Sequence, residues 1–196
     1  MSLLKKLFTK NRAVFLDRDG VINKDKNHVY KIEDIEFYND VFLALKKLSP
    51  DFKKIIITNQ AGVAKGLYTE KDYNILMEWM IKQFESHNIK IDNVYFCPHH
   101  PKGVIKKYKK ACKCRKPNIG MFKKAEKDFN LDLKKCWLIG DKLSDILAGK
   151  KAGCKTILVL TGQDSCNKKA LVEADFCIKT LMEAVEFICS KKCDLF

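Results

Sequence analysis

Short runs that are apolar throughout alternate along this chain with longer segments in which apolar residues recur every three or four positions. The short runs fall at residues 13–16, 54–57, 94–96, 136–139, 156–160 and 176–178, and they predict strands buried on both faces, as in a parallel sheet. The clearest long segment spans 69–87, where Tyr73, Leu76, Met77, Met80 and Phe84 share one helical face and Thr69 with Asp72 predicts a capping box. Further helices are expected at 41–48, 119–129, 144–152 (with a cap at Ser144) and 181–189. This alternation predicts an α/β fold, a three-layer Rossmann-like and mostly parallel sheet. No internal repeat and no Gly/Ser/Pro-rich linker breaks the order, so residues 1–196 read as a single domain, with 1–12 as an N-terminal extension. Polar residues of special type follow the strands: Asp17 and Asp19 after the first, Thr58, Asn59 and Gln60 after the second, Gly140 and Asp141 after the fourth. Ligands bind open α/β sheets at those strand ends.

Composition narrows the function. The 196 residues, 46% of them hydrophobic, suffice for one ordinary core and exclude a disulfide-stapled miniprotein. An excess of 38 Lys+Arg over 24 Asp+Glu gives +14, which favours an anionic partner: a phosphate ester, a nucleic acid or an acidic lipid surface. Nine cysteines are an odd number for a disulfide framework, and the lysine-broken start lacks the ~7–15 apolar residues of a secretory core. A reducing cytoplasm is expected, where clustered cysteines point to metal or catalysis. No stretch approaches the ~20 apolar residues of a membrane span, so no membrane partner is expected.

Asp17-Arg18-Asp19-Gly20 places two carboxylates two residues apart at a strand end, with a glycine to turn the chain. Such a pair can act as nucleophile and proton donor on one phosphorus, although Asp and Gly also form ordinary turns. Gly140-Asp141-Lys142-Leu143-Ser144-Asp145 adds two more carboxylates after another buried strand. Converging carboxylates repel one another without a cation, and Mg²⁺ suits hard oxygen ligands and a phosphate substrate. Thr58 offers a hydroxyl and Lys116 an ammonium to phosphoryl oxygens; the combination is specific where each residue alone is not.

In these stations, and in this order, residues 13–162 resemble the haloacid-dehalogenase-like phosphatases, most closely their sugar-bisphosphate branch, through Asp17-Arg18-Asp19-Gly20-Val21-Ile22-Asn23, Thr58-Asn59-Gln60, Cys97-Pro98-His99-His100-Pro101 and Cys112-Lys113-Cys114-Arg115-Lys116-Pro117. The resemblance implies Asp17 as the nucleophile that becomes an aspartyl-phosphate and Asp19 as the acid and then base. Asp17 would then be ionised while Asp19 carries a proton, so their environments must separate the two acidities. It implies Thr58 and Lys116 as holders of the transferred group. Asp17, Asp141 and the main-chain carbonyl of Asp19 would bind Mg²⁺, with Lys142 and Asp145 behind them, Asp145 orienting Lys116 or a metal-bound water. Asn59 and Gln60 are expected to touch substrate, as are Asp25, Lys26, Asn27 and His28 on a flap. The interval from Asp19 to the helix at 41 holds some twenty residues, too few for a large cap domain, and predicts a β-hairpin. The chain departs from the family pattern at Ile119, where a second proline is usual, and at Ala61, where serine is frequent.

Cys97, His99, Cys112 and Cys114 supply three thiolates and an imidazole, enough for a closed, structural Zn²⁺ site over a loop at 97–114; His100 rivals His99 on spacing alone. Pinning Cys114 would fix Lys116 and Arg115, and Arg115 is expected to bind a second phosphate or the hydroxyls. Cys136, Cys154, Cys166, Cys177, Cys189 and Cys193 show no ligand spacing, and Cys136 and Cys177 are placed within strands. Eight basic residues and no acidic one lie between Cys97 and Pro117. The expected activity is Mg²⁺-dependent release of phosphate from a small sugar bisphosphate by a monomer. Histidinol-phosphate and polynucleotide 3′-phosphatase activities are the alternatives, and a non-catalytic zinc-dependent nucleic-acid-binding module is the alternative of a different class. Sparse stacking aromatics, Tyr108 almost alone in the basic stretch, argue against a nucleic-acid partner.

Overall fold

The computed structural model describes residues 10–162 and 165–191. Six strands, β1 (Arg12–Leu16), β2 (Phe52–Asn59), β3 (Asn93–Cys97), β4 (Trp137–Gly140), β5 (Lys155–Val159) and β6 (Phe176–Ile178), pair in parallel in the order β3-β2-β1-β4-β5-β6. Among the described residues the helices are α1 (Val41–Lys47), α2 (Ala61–Ala64), α3 (Glu70–Ser86), α4 (Gly120–Phe129), α5 (Leu143–Ala152), α6 (Lys168–Glu173) and α7 (Leu181–Ser190).

The strands are apolar throughout because both faces of the sheet are covered. Successive residues point to opposite sides. Val14 and Leu16 join Ile56, Ile139 and Val159 against α1, α3 and α7, whereas Ala13 and Phe15 join Ile55, Ile57 and Leu138 against α4 and α5. α6 closes a smaller cluster in which Ala170 meets Ile146 and Leu158. The capping box of α3 forms in both halves: Thr69 Oγ1 accepts the Asp72 N–H at 3.1 Å and Asp72 Oδ2 accepts the Thr69 N–H at 2.8 Å.

Several boundaries differ from the sequence reading. Arg12 opens β1 and so is not part of an extension, while residues 1–9 and Cys193 lie outside the described residues. α5 is capped by Lys142, not Ser144, because the Lys142 N–H donates to Asp145 Oδ2 at 3.1 Å. Cys136 sits buried just before β4, at the end of a 3-10 turn (Leu133–Lys135), and Cys177 on the edge strand β6 is exposed. The four residues of α2 and six of α6 were missed, being too short to show a period. The expected β-hairpin flap is a loop. It keeps one antiparallel bridge, Asn23 to Phe37, while Asn27 and His28 adopt left-handed backbone and a 3-10 turn spans Ile32–Asp34, which leaves no room for a ladder.

The topology decides where a site can lie. From β1 the chain moves outward to β2 and β3, then crosses to begin β4 on the other side of β1. The crevice where the order reverses lies beyond the carboxyl ends of β1 and β4.

Candidate active site

Asp17 follows the last residue of β1, its backbone N–H bound to the Ile139 carbonyl at 3.0 Å, so the neighbouring strand fixes its direction. Asp141 holds the equivalent place after β4, and Asp145 lies one turn into α5. Carboxylate oxygens of Asp17, Asp141 and Asp145 lie within 4.8 Å of one another, and all three residues are buried. Asp141 is held in a narrow cradle: a Cβ added at Gly20 or Gly162 would stand 2.2 or 2.1 Å from its Oδ2. A buried, all-oxygen trio of this kind fits a small divalent cation and no softer metal.

Lys116 is the counter-charge. Its Nζ lies 3.0 Å from Asp17 Oδ1, 2.7 Å from Asp145 Oδ1 and 2.8 Å from the Ile57 carbonyl. Burial opposes its charge, yet Asp145 and Asp17 outweigh burial and raise its pKa. Asp145 is thus paired with Lys116. What aims Lys116 from behind is Asn59: Oδ1 accepts the Lys116 N–H at 3.0 Å and Nδ2 donates to the Lys116 carbonyl at 3.1 Å. Both ends of the Asn59 amide are therefore engaged by the chain, while Asn59 and Gln60 also line the cavity beside Asp19.

Gln60 is likewise a buried connector. Its Nε2 donates to Thr58 Oγ1 at 2.8 Å and Asp19 Oδ2 at 3.1 Å, while its Oε1 accepts the Tyr68 hydroxyl at 2.5 Å. Asp19 turns to Arg18, whose Nη2 lies 2.8 Å from both carboxylate oxygens, and also accepts from Asn23 at 3.0 Å. Arg18 went unnoticed in the sequence, where it stood only as a spacer between the two aspartates. Wholly buried and bound also to the Val29 carbonyl at 2.7 Å, it ties the flap to the site.

Without a cation, these partners move the two acidities in opposite directions. Burial raises the Asp17 carboxyl to about 6, against the lowering pull of Lys116. Burial would raise Asp19 too, but Arg18, Asn23 and Gln60 outweigh it and hold that carboxyl below its usual value.

A cavity of about 280 Å³ opens beside Asp19, lined by Asp25, Asn27, His28, Lys65, His100, Arg115 and Lys142 among others. Asp25 reaches it from the flap through an ion pair of 2.7 Å to Lys142. Lys26 does not line it, and its ammonium pairs with Glu36 at 3.2 Å. His28 Nε2 lies 3.1 Å from Lys65 Nζ, and burial and then Lys65 lower its pKa; burial, Arg115 and Lys65 lower that of His100. Lys65 had no signal in the sequence beyond its charge.

The thiols and imidazole converge as well. Cys97, Cys112 and Cys114 sulfurs are 3.2–3.4 Å apart, and His99 Nδ1 lies 3.4 Å from Cys114 and 3.7 Å from Cys97. Tetrahedral coordination at Zn–S of about 2.3 Å needs sulfurs about 3.8 Å apart, so the three thiols gather on one point and would spread by about half an ångström around an ion. His100 instead faces the cavity and accepts the Lys102 N–H at 3.1 Å, which separates the two histidines.

A family model described as HAD-hydrolase-like matches residues 113–184. The D-glycero-alpha-D-manno-heptose-1,7-bisphosphate 7-phosphatase of Campylobacter jejuni is 43% identical over 185 residues, 93% of this chain and 98% of that protein. The D-glycero-beta-D-manno-heptose-1,7-bisphosphate 7-phosphatase of Haemophilus ducreyi is 39% identical over 180 residues, 90% and 98% of the two chains. The crystal structure of D,D-heptose 1,7-bisphosphate phosphatase from B. bronchiseptica, complexed with magnesium and phosphate, matches with a TM-score of 0.79 at 26% identity over 92% of this chain and 99% of that one. No helix among the described residues is long and apolar enough to cross a membrane. With a parallel sheet of this order, carboxylates at the ends of β1 and β4, and likeness over nearly the full length of these relatives, the chain belongs to the haloacid-dehalogenase-like hydrolases, in the family of the heptose-1,7-bisphosphate 7-phosphatases.

Proposed function

We propose that this protein removes the C7 phosphate of D-glycero-D-manno-heptose 1,7-bisphosphate, in the presence of Mg²⁺, through an aspartyl-phosphate on Asp17. The observation that carries this reading is the meeting of Asp17, Lys116, Asp141 and Asp145, remote in sequence, around one buried point. Asp17 and Asp141, with the main-chain carbonyl of Asp19, would hold Mg²⁺, whose charge lets the carboxylates coexist and offsets that of the phosphoryl oxygens. An Asp17 oxygen attacks phosphorus as the P–O bond to the sugar breaks, and Asp19 gives its proton to the leaving alkoxide. Asp19 then takes a proton from the water that attacks the aspartyl-phosphate. The pull of Arg18 on Asp19 suits this second, basic step, and an incoming phosphate dianion raises its proton affinity for the first. Lys116 and the Thr58 hydroxyl hold the transferred oxygens. Arg115, Lys65, His28 and His100 offer donors to the second phosphate.

One Zn²⁺ closes the cluster of Cys97, His99, Cys112 and Cys114 and fixes the loop that carries Lys116 and Arg115. The eight described cysteines form no disulfide, which supports the reading that the protein acts in a reducing compartment such as the cytoplasm.

Phosphate release from both anomers of the heptose bisphosphate, from histidinol phosphate and from a 3′-phosphorylated oligonucleotide tests the assignment. A kcat/KM about 10²-fold higher or more on a heptose bisphosphate is expected, since a site built for two anionic groups rejects substrates lacking one. Preference for either of the other substrates overturns it.

A further inference from the structure

A second cavity lies at the opposite end of the sheet. About 180 Å³ in volume, it is lined by Arg12, Phe52, Lys134, Lys135, Trp137, Lys155, Ile188 and Lys191. Arg12, Phe52, Trp137 and Lys155 are the first residues of β1, β2, β4 and β5, so the cavity sits beneath the amino ends of the central strands. A strand of five residues puts it about 15 Å from the carboxyl ends where Asp17 and Asp141 stand. Nothing in the phosphatase reaction uses it.

Its chemistry is one-sided. Among the described residues five cations line it and no carboxylate does. Two of them are steadied by ring faces: the Arg12 guanidinium lies 4.3 Å from the Phe52 centroid and Lys155 Nζ lies 5.0 Å from that of Trp137. A ring holds a cation in place without neutralising it, so the charge stays available to an anion. Asp51 pairs with Arg12 at 3.2 Å and Asp132 with Lys135 at 3.7 Å; among the described residues no carboxylate pairs with Lys134 or Lys155. Phe52, Trp137 and Ile188, each nearly fully buried, form an apolar floor beneath lysines whose side chains stay open to solvent.

We infer that this cavity is a binding site for a compact polyphosphate, separate from the active site, with Arg12, Lys134, Lys135 and Lys155 as the anion contacts. The shared chemistry is a chain of two or three phosphates, whether inorganic or carried by a nucleoside. The volume takes such a chain and leaves a nucleoside outside the cations.

Trp137 on the floor provides a local reporter. Trp79 is the other tryptophan of the two, so Trp79→Phe isolates the signal. Sodium tripolyphosphate, which does not absorb at the excitation wavelength, is titrated into the full chain without Mg²⁺ at physiological ionic strength. A saturable change in Trp137 emission at sub-millimolar ligand is expected, with Lys134→Glu plus Lys155→Glu weakening it by about tenfold or more. Phosphate release by that double variant stays at the parent level, which shows that the fold persists. ATP matching tripolyphosphate assigns the affinity to the phosphates, and ATP tighter by about tenfold adds the nucleoside. No saturable response up to about 10 mM tripolyphosphate, or a response that the double charge reversal leaves intact, overturns the inference.

Discussion

Asn59 offers the sharpest discrimination, because a contact to substrate and a clamp on Lys116 predict different kinetics. Asn59→Ala removes two hydrogen bonds, of 3.0 and 3.1 Å, to the backbone of a residue that is only 2% exposed. Each such bond contributes about 1 kcal/mol net, and an orphaned buried group adds to the loss, giving ~2–3 kcal/mol. If most of this appears as misplacement of the Lys116 ammonium, kcat falls about 10²-fold, the usual consequence of moving a catalytic group by about 1 Å. The remainder, a few tenths of a kcal/mol, lowers Tm by only about 1 °C, at ~2–4 °C per kcal/mol for a chain of this size. Steady-state phosphate release on the heptose bisphosphate gives kcat and KM, and circular dichroism gives Tm. A raised KM with kcat unchanged would refute the clamp and leave Asn59 as a substrate contact.

Asp17→Asn is expected to lower kcat by about 10⁴-fold or more with Tm nearly unchanged, and turnover within about tenfold of the parent would remove Asp17 as nucleophile. Burial raises the Asp17 carboxyl of the metal-free protein from 3.8 to about 6. The bound proton is a stabilising contribution, complete below the unfolded value and lost as pH rises through about 6. Because a cation needs the ionised form, Mg²⁺ affinity measured by calorimetry should fall roughly tenfold per pH unit below about 6 and level off above it; a flat profile contradicts the assignment of Asp17 as ligand. Gly162→Ala places a Cβ 2.1 Å from Asp141 Oδ2, and such overpacking costs ~1–3 kcal/mol, so Mg²⁺ affinity is expected to drop about 10- to 100-fold. Unchanged metal affinity would show that the cradle around Asp141 yields. Atomic absorption should find about one zinc per chain and, in Cys112→Ser, almost none, together with a lowered kcat. Full activity without zinc would sever the cluster from Lys116.

Local patterning was enough to read the frame. Apolar runs at the six strands and the three-to-four spacing across α3 reflect burial on both faces of a sheet and on one face of a helix, and burial is written residue by residue. Asp17 and Asp141 were legible because each follows a strand whose end the pattern marks, and the topology brings those ends together; Thr58 lies within the end of β2, Asp145 in the first turn of α5 and Lys116 in a loop, and these stood out only as members of the combination. The cluster of Cys97, His99, Cys112 and Cys114 was legible from ligand type and spacing, although the choice between His99 and His100 was not, since it depends on which imidazole the turn directs inward. The polar network was beyond reach. Gln60 on Asp19, Asn59 on Lys116 and Lys142 on Asp25 are pairings across 41, 57 and 117 residues. No periodicity encodes them; they exist because buried polar groups must find partners, and only the assembled chain determines which are near. The same holds for the acidities of Asp17 and Asp19. Residue type sets the reference value, while burial and the neighbouring charges, both tertiary properties, decide which carboxyl rises and which falls.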